Sequence, residues 1–164
     1  MPTDDDISAL YRELVLEHAR APRNFGRIDD ATHSAAGINP LCGDKLHVYA
    51  VVDADSKLCA VKFEGSGCAI SIASASLMTD NLESLPVESV ATCIKAITER
   101  LESDSRSDAP SAGPSASDPE GVDLSALRAL EGVKEFPSRI KCATLPWRAL
   151  QAALDKHKQP ATTE

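Results

Sequence analysis

Three cysteines and one aspartate, at three separate points along the chain, have the residue types and spacing for metal chemistry. Cys42 and Asp44 lie in Asn39-Pro40-Leu41-Cys42-Gly43-Asp44, Cys68 in Gly65-Ser66-Gly67-Cys68-Ala69, and Cys142 in Arg139-Ile140-Lys141-Cys142-Ala143. Each thiol falls in an expected turn or just ahead of an expected helix, where unpaired backbone N–H groups favour thiolate. Three sulfurs and one carboxylate supply the four donors of a tetrahedral zinc site. Cys42 and Asp44 share one turn, and Gly43 lets the backbone bend between them. The set reads as a metal-thiolate site.

The elements that must position these donors follow from periodicity and turn chemistry. Residues 5–20 predict an amphipathic helix, with Ile7, Leu10, Tyr11, Leu14, Val15 and His18 at helical spacing and Asp4 to Asp6 at its favourable end. Pro22 stops it. The stretch 23–45 is rich in turn residues, with Ala35 to Ile38 as a short edge strand. Alternation predicts strands at 46–52 and 58–64, joined by a turn at Asp53-Ala54-Asp55-Ser56. Helices are expected at 68–83 and 86–102, the first rich in small residues that permit close packing, the second with Pro86 in its first turn. Residues 103–120 are Ser-, Asp-, Ala- and Pro-rich without periodicity and predict a disordered loop. Asp123 would cap a short helix from Leu124 to Glu131, ended by Gly132. A last helix should begin at Ala143 or Thr144 and run to about His157. That start puts Pro146 in the first turn, because proline in a helix interior costs about 3 kcal/mol. It also leaves Cys142 facing the helix N-terminus. Early strands and late helices predict an α+β fold, a small three-stranded antiparallel sheet with helices mainly on one face, and the metal site at one end.

Composition bounds the function. A length of 164 residues with 43% hydrophobic content suits the core of one domain, so residues 1–164 are taken as a single unit. A net charge of −8 argues against binding nucleic acid or an anionic membrane, since phosphate contacts need clustered Lys and Arg. The acidic start and the lack of a long apolar run predict neither signal peptide nor membrane span, hence a cytoplasmic setting. There, five cysteines with no evident pairing are more often metal ligands or reactive groups than disulfides. Cys59 and Cys93, in an expected strand and helix, read as small buried hydrophobes. His18, His33, His47 and His157 read as packing or surface residues. Gly65-Ser66-Gly67 lacks the Lys-Ser/Thr of a phosphate-binding loop, and no serine-hydrolase elbow is present.

Several of these segments together resemble one family. Asn39 to Asp44, then Phe63-Glu64-Gly65-Ser66-Gly67-Cys68-Ala69-Ile70-Ser71 with Ala73 to Thr79, are similar to the U-type iron–sulfur assembly proteins. Leu10-Tyr11-Arg12-Glu13 through Pro22-Arg23-Asn24 fits the same pattern. The ending Phe136-Pro137-Ser138-Arg139-Ile140-Lys141-Cys142-Ala143-Thr144-Leu145-Pro146-Trp147 resembles the SufU branch. IscU-type members carry histidine immediately before the last cysteine, where this chain has Lys141. SufU-type members also carry an extra segment before that cysteine. Here that segment is Ser/Pro/Asp-rich rather than helical.

The resemblance implies a zinc protein that accepts persulfide sulfur from a SufS-type pyridoxal-phosphate cysteine desulfurase and hands it on to downstream iron–sulfur assembly proteins. Cys42, Asp44, Cys68 and Cys142 would hold the zinc. The alternative is a scaffold that builds an Fe–S cluster on the same ligands. A purely structural zinc domain is a third reading, disfavoured by aspartate as a ligand. Cys42 is the expected sulfur acceptor, since its loop moves with least disruption of packing, and Cys142 is the runner-up. Arg139, three residues before Cys142, is expected to stabilise a freed thiolate by its fixed charge.

Overall fold

Alternating apolar residues between 33 and 66 produce three antiparallel strands: β1 (His33–Asn39), β2 (Asp44–Val52) and β3 (Leu58–Ser66). The computed structural model describes residues 4–40, 43–102, 137–156 and 161–162, with backbone alone at 4–11, 137–138 and 161–162. Cys42, the 103–120 segment, the short helix expected at 124–131 and His157 lie outside the described residues. Among the described residues four helices accompany the sheet: α1 (Asp4–Arg20), α2 (Ala69–Leu82), α3 (Val87–Glu102) and α4 (Pro137–Leu154). Among the described residues no helix is long and apolar enough to cross a membrane.

One face of the sheet is the core face. Register pairs Ala35 with Val48, Gly37 with Leu46, Asn39 with Asp44, Val48 with Phe63 and Ala50 with Val61, and all of these are buried. Helix α4 covers β1 and β2 on that face and α2 covers β3, with α1 packed on α2 and α3 on α4. Helix α2 is buried nearly all round, and Ala73, Ser74, Ala75 and Ser76 allow the close approach that its composition predicts. The expected α+β layering is therefore present. Strand β1 is longer than expected and is not simply an edge, because the two-residue β4 (Ala161–Thr162) runs parallel to it at Gly37 and Ile38.

Two expectations need correction. Cys59 is exposed, not buried. The register pairs Val51 with Ala60 and Val52 with Leu58, so a bulge leaves Cys59 out of the ladder. Its thiol donates to Asp53 Oδ2 at 3.2 Å, a bond that raises its pKa. The second correction concerns α4, which begins at Pro137, placing Pro146 in its interior. Pro137 suits a first helical position. Pro146 cannot donate to the Cys142 carbonyl four residues back, yet the helix continues because tertiary burial outweighs local propensity. Cys142, Ala143, Leu145, Trp147, Ala149 and Leu150 are all fully buried. Ser74 of α2 supports the interrupted turn: its hydroxyl donates to the Ala143 carbonyl at 2.5 Å and accepts from Trp147 Nε1 at 2.9 Å.

A second polar cluster docks α1. His18 is buried, with Nδ1 2.7 Å from Ser76 Oγ and Nε2 2.7 Å from an Arg23 guanidinium nitrogen. Burial, and then the Arg23 charge, hold His18 below its ordinary pKa and so keep it neutral.

Ser74→Ala should leave the buried indole N–H of Trp147 without its partner. A loss of about 1–3 kcal/mol in urea unfolding is expected, and an unchanged midpoint would show that Ser74 does not support the Pro146 turn.

Candidate metal centre

Four pieces of chain converge at one end of the sheet. The β1–β2 hairpin supplies Asn39 and Asp44 as cross-strand partners. Gly43 N–H bonds the Asn39 carbonyl at 2.9 Å, and Gly43 adopts a φ of +72°, the turn geometry its position between Cys42 and Asp44 calls for. The end of β3 leads through Gly67 to Cys68, the N-cap residue of α2. Helix α4 contributes Cys142 from its buried side.

The ligand atoms of Asp44, Cys68 and Cys142 all lie within 4.8 Å of one another. Asp44 is fully buried, Cys142 fully buried and Cys68 half-buried. Asp44 Oδ1 accepts the Cys68 backbone N–H at 2.8 Å. Asp44 Oδ2 accepts Asn39 Nδ2 at 3.3 Å, and the same nitrogen donates to Cys142 Sγ at 3.4 Å. Ser71 Oγ bonds the Cys68 carbonyl at 3.0 Å and lies 3.9 Å from Cys68 Sγ. One chain of hydrogen bonds thus joins β1, β2, the α2 N-terminus and α4 around three potential ligands.

The donor set fits a zinc ion. Among the described residues, the two donors that bond the buried Asp44 carboxylate, a backbone amide and a carboxamide, are both neutral. A buried carboxylate without a positive partner is expensive, and a divalent cation between it and two sulfurs compensates it. Two cysteine sulfurs and one carboxylate oxygen are donors zinc accepts, leaving a fourth tetrahedral position.

The described members of the predicted site are thus placed. Asp44, Cys68 and Cys142 come together, Cys68 at a helix start as expected. Cys142 differs, because it sits in the second turn of α4 instead of ahead of it, so burial and Asn39 hold it where a helix N-terminus was expected to. Arg139 is exposed in the first turn of α4, one turn before Cys142, and Lys141 is half-buried. Asn39 is the residue that sequence reasoning missed. The signal was its place in phase with Ala35 and Gly37 on the core face of β1, but that phase depends on the hairpin register.

The NifU-like N terminal domain model matches residues 10–119. The chain belongs to that family. Across it, the chain is 34% identical to the zinc-dependent sulfurtransferase SufU of Bacillus subtilis, over 96% of this chain and 98% of that protein. It is also 34% identical to the iron–sulfur cluster assembly scaffold protein IscU of Thermotoga maritima, over 92% and 96% of the two chains. A crystal structure from Fervidobacterium islandicum AW-1, provisionally described as an iron–sulfur cluster assembly scaffold protein for the SUF system, superposes with a TM-score of 0.69 at 29% identity, over 87% of this chain and 94% of that one. The NifU-like N-terminal structure from Brucella abortus shares the fold, with a TM-score of 0.73 at 22% identity over 92% and 95%.

Gly67 leaves room for two polar side chains of this centre. A Cβ there would stand 2.3 Å from Ser71 Oγ and 2.9 Å from Asp44 Oδ1. Gly67→Ala should therefore displace the Asp44 carboxylate, destabilise the fold by about 1–3 kcal/mol and lower zinc affinity by about tenfold or more. Titration against a competing chelator measures the second effect. Wild-type affinity in this variant would contradict the assigned geometry.

Proposed function

We propose that this chain is a zinc-dependent sulfur carrier for iron–sulfur cluster assembly. It takes persulfide sulfur from a SufS-type cysteine desulfurase and passes it to downstream assembly proteins. The observation that carries this reading is the Asp44, Cys68 and Cys142 cluster within 4.8 Å, a mixed thiolate–carboxylate set with one tetrahedral position left over. The near full-length similarity to the Bacillus subtilis sulfurtransferase supports the same chemistry.

Cys42, Asp44, Cys68 and Cys142 would hold the ion. Bound zinc keeps cysteine sulfur as thiolate at neutral pH and, having no redox chemistry, does not oxidise it. Cys42 is assigned as the acceptor. Its thiolate attacks the outer sulfur of the desulfurase persulfide, a new S–S bond forms on Cys42, and the desulfurase cysteine leaves as thiolate. No external oxidant or reductant is needed. The two described thiols of the site are each anchored, Cys142 in a buried helix and Cys68 at a helix N-cap, whereas Leu41-Cys42 falls between the exposed Pro40 and Gly43 in sequence. Arg139, exposed one turn before Cys142, is assigned to stabilise the thiolate with its permanent charge.

The scaffold reading, a cluster built on the same ligands, draws support from the Thermotoga maritima relative. Lys141 weighs against it, standing where IscU-type proteins have histidine.

Cys42→Ser should abolish persulfide capture while retaining much of the bound zinc, because three ligands remain. Mass spectrometry after a single turnover with desulfurase and cysteine reads the result. One added sulfur on the wild-type Cys142 peptide, with none on the Cys42 peptide, would overturn the choice of acceptor.

A further inference from the structure

Asn39 has no part in the sulfur transfer just described, yet it is fully buried at the centre of the site. Its amide nitrogen donates to both Asp44 Oδ2 at 3.3 Å and Cys142 Sγ at 3.4 Å. That one nitrogen thus lies within hydrogen-bond distance of both a carboxylate oxygen and a sulfur. The two described thiols of the site differ in this respect. Among the described residues, the side-chain hydrogen-bond partner of Cys68 Sγ is the Ser71 hydroxyl at 3.9 Å, and that hydroxyl is itself bonded to the Cys68 carbonyl.

Three cysteine thiolates on one ion would be chemically alike, so something around them must decide which one attacks a persulfide. An N–H directed at a sulfur withdraws electron density from it and fixes its position, both of which oppose nucleophilic attack. Pro146 adds weight to that contact. It cannot bond the Cys142 carbonyl, so side-chain contacts matter more in holding that turn of α4.

We infer that the Asn39 carboxamide is a positioning residue that selects the sulfur-accepting thiol, restraining Cys142 so that Cys42 receives the sulfur. The inference rests on the sulfur-carrier reading. When Asn39 is replaced by a residue of similar volume without N–H donors, the Cys142 sulfur becomes a competing nucleophile. It then attacks the outer persulfide sulfur, the S–S bond to Cys142 forms, and the desulfurase cysteine departs as thiolate, with no other reactant.

The test compares the zinc-loaded wild-type chain with zinc-loaded Asn39→Leu in two measurements. In single turnover with desulfurase and cysteine, the share of captured sulfur on the Cys142 peptide should rise about tenfold. In alkylation by iodoacetamide, without any sulfur donor, the ratio of Cys142 to Cys68 labelling should rise by a similar factor. A merely structural role for Asn39 would act by loosening the buried Cys142 turn, and would then give the same ratio as zinc-loaded Ser74→Ala, which loosens that turn but keeps the Asn39 donors. Unchanged ratios in a folded, zinc-loaded variant, or ratios equal to those of Ser74→Ala, would overturn the inference. If Asn39→Leu does not fold, Asn39→Ala, which also removes both N–H donors, is read in the same way. Absence of captured sulfur on every cysteine of the wild-type chain would instead defeat the sulfur-carrier reading, and the alkylation ratio would still decide the role of Asn39.

Discussion

Burying the Asp44 carboxylate away from water costs several kcal/mol unless hydrogen bonds and positive charge replace its hydration. The elements at this end of the molecule are arranged around that requirement. The start of α2 offers the Cys68 N–H, the end of β1 offers the Asn39 amide, and Gly67 leaves the space in which the carboxylate sits. Both bonds come from neutral groups, so the charge itself is left for a cation. The sulfurs of Cys68 and Cys142 lie within 4.8 Å of the carboxylate, the companions a zinc ion would need. The same contacts that orient the carboxylate therefore tie the hairpin to two helices, and site formation is coupled to folding.

Helix α4 brings the last sulfur to that point. Its sequence contains a local conflict, a proline in the second half of a helical stretch, which costs about 3 kcal/mol in isolation. The conflict is resolved in the core. Trp147 and Leu145 flank the proline and are fully buried, while Ser74 of α2 serves both the Ala143 carbonyl and the Trp147 indole. An interrupted turn beside Cys142 is tolerated because the core and Ser74 of α2 hold it. The small residues of α2 permit this closeness, so an Ala- and Ser-rich helix that looks undemanding in sequence is the part on which the α4 ligand depends.

Most of the layout was legible in sequence because its signals are local. Alternation at 46–52 and 58–64 marks strands that the structure extends to Asp44–Val52 and Leu58–Ser66. Pro86 and the small-residue run after Gly67 place α3 and α2 to within a residue or two. What was illegible depends on contacts between distant segments. The interior Pro146 is stable only through tertiary burial, so a rule about isolated helices misplaced the start of α4 and the setting of Cys142. Cys59 turned outward because a bulge, invisible in a single strand, removes it from the ladder. Asn39 could be read as a turn residue until the hairpin register set it opposite Asp44.

The central claim is that this cluster holds zinc for sulfur transfer and does not build a cluster of iron and sulfide. Metal analysis and X-ray absorption on anaerobically purified protein test it most directly. The account predicts a colourless protein with one zinc per chain, coordinated by sulfur at about 2.3 Å and by oxygen at about 2.0–2.2 Å. A brown protein containing iron and sulfide, or zinc surrounded by oxygen and nitrogen alone, would contradict it.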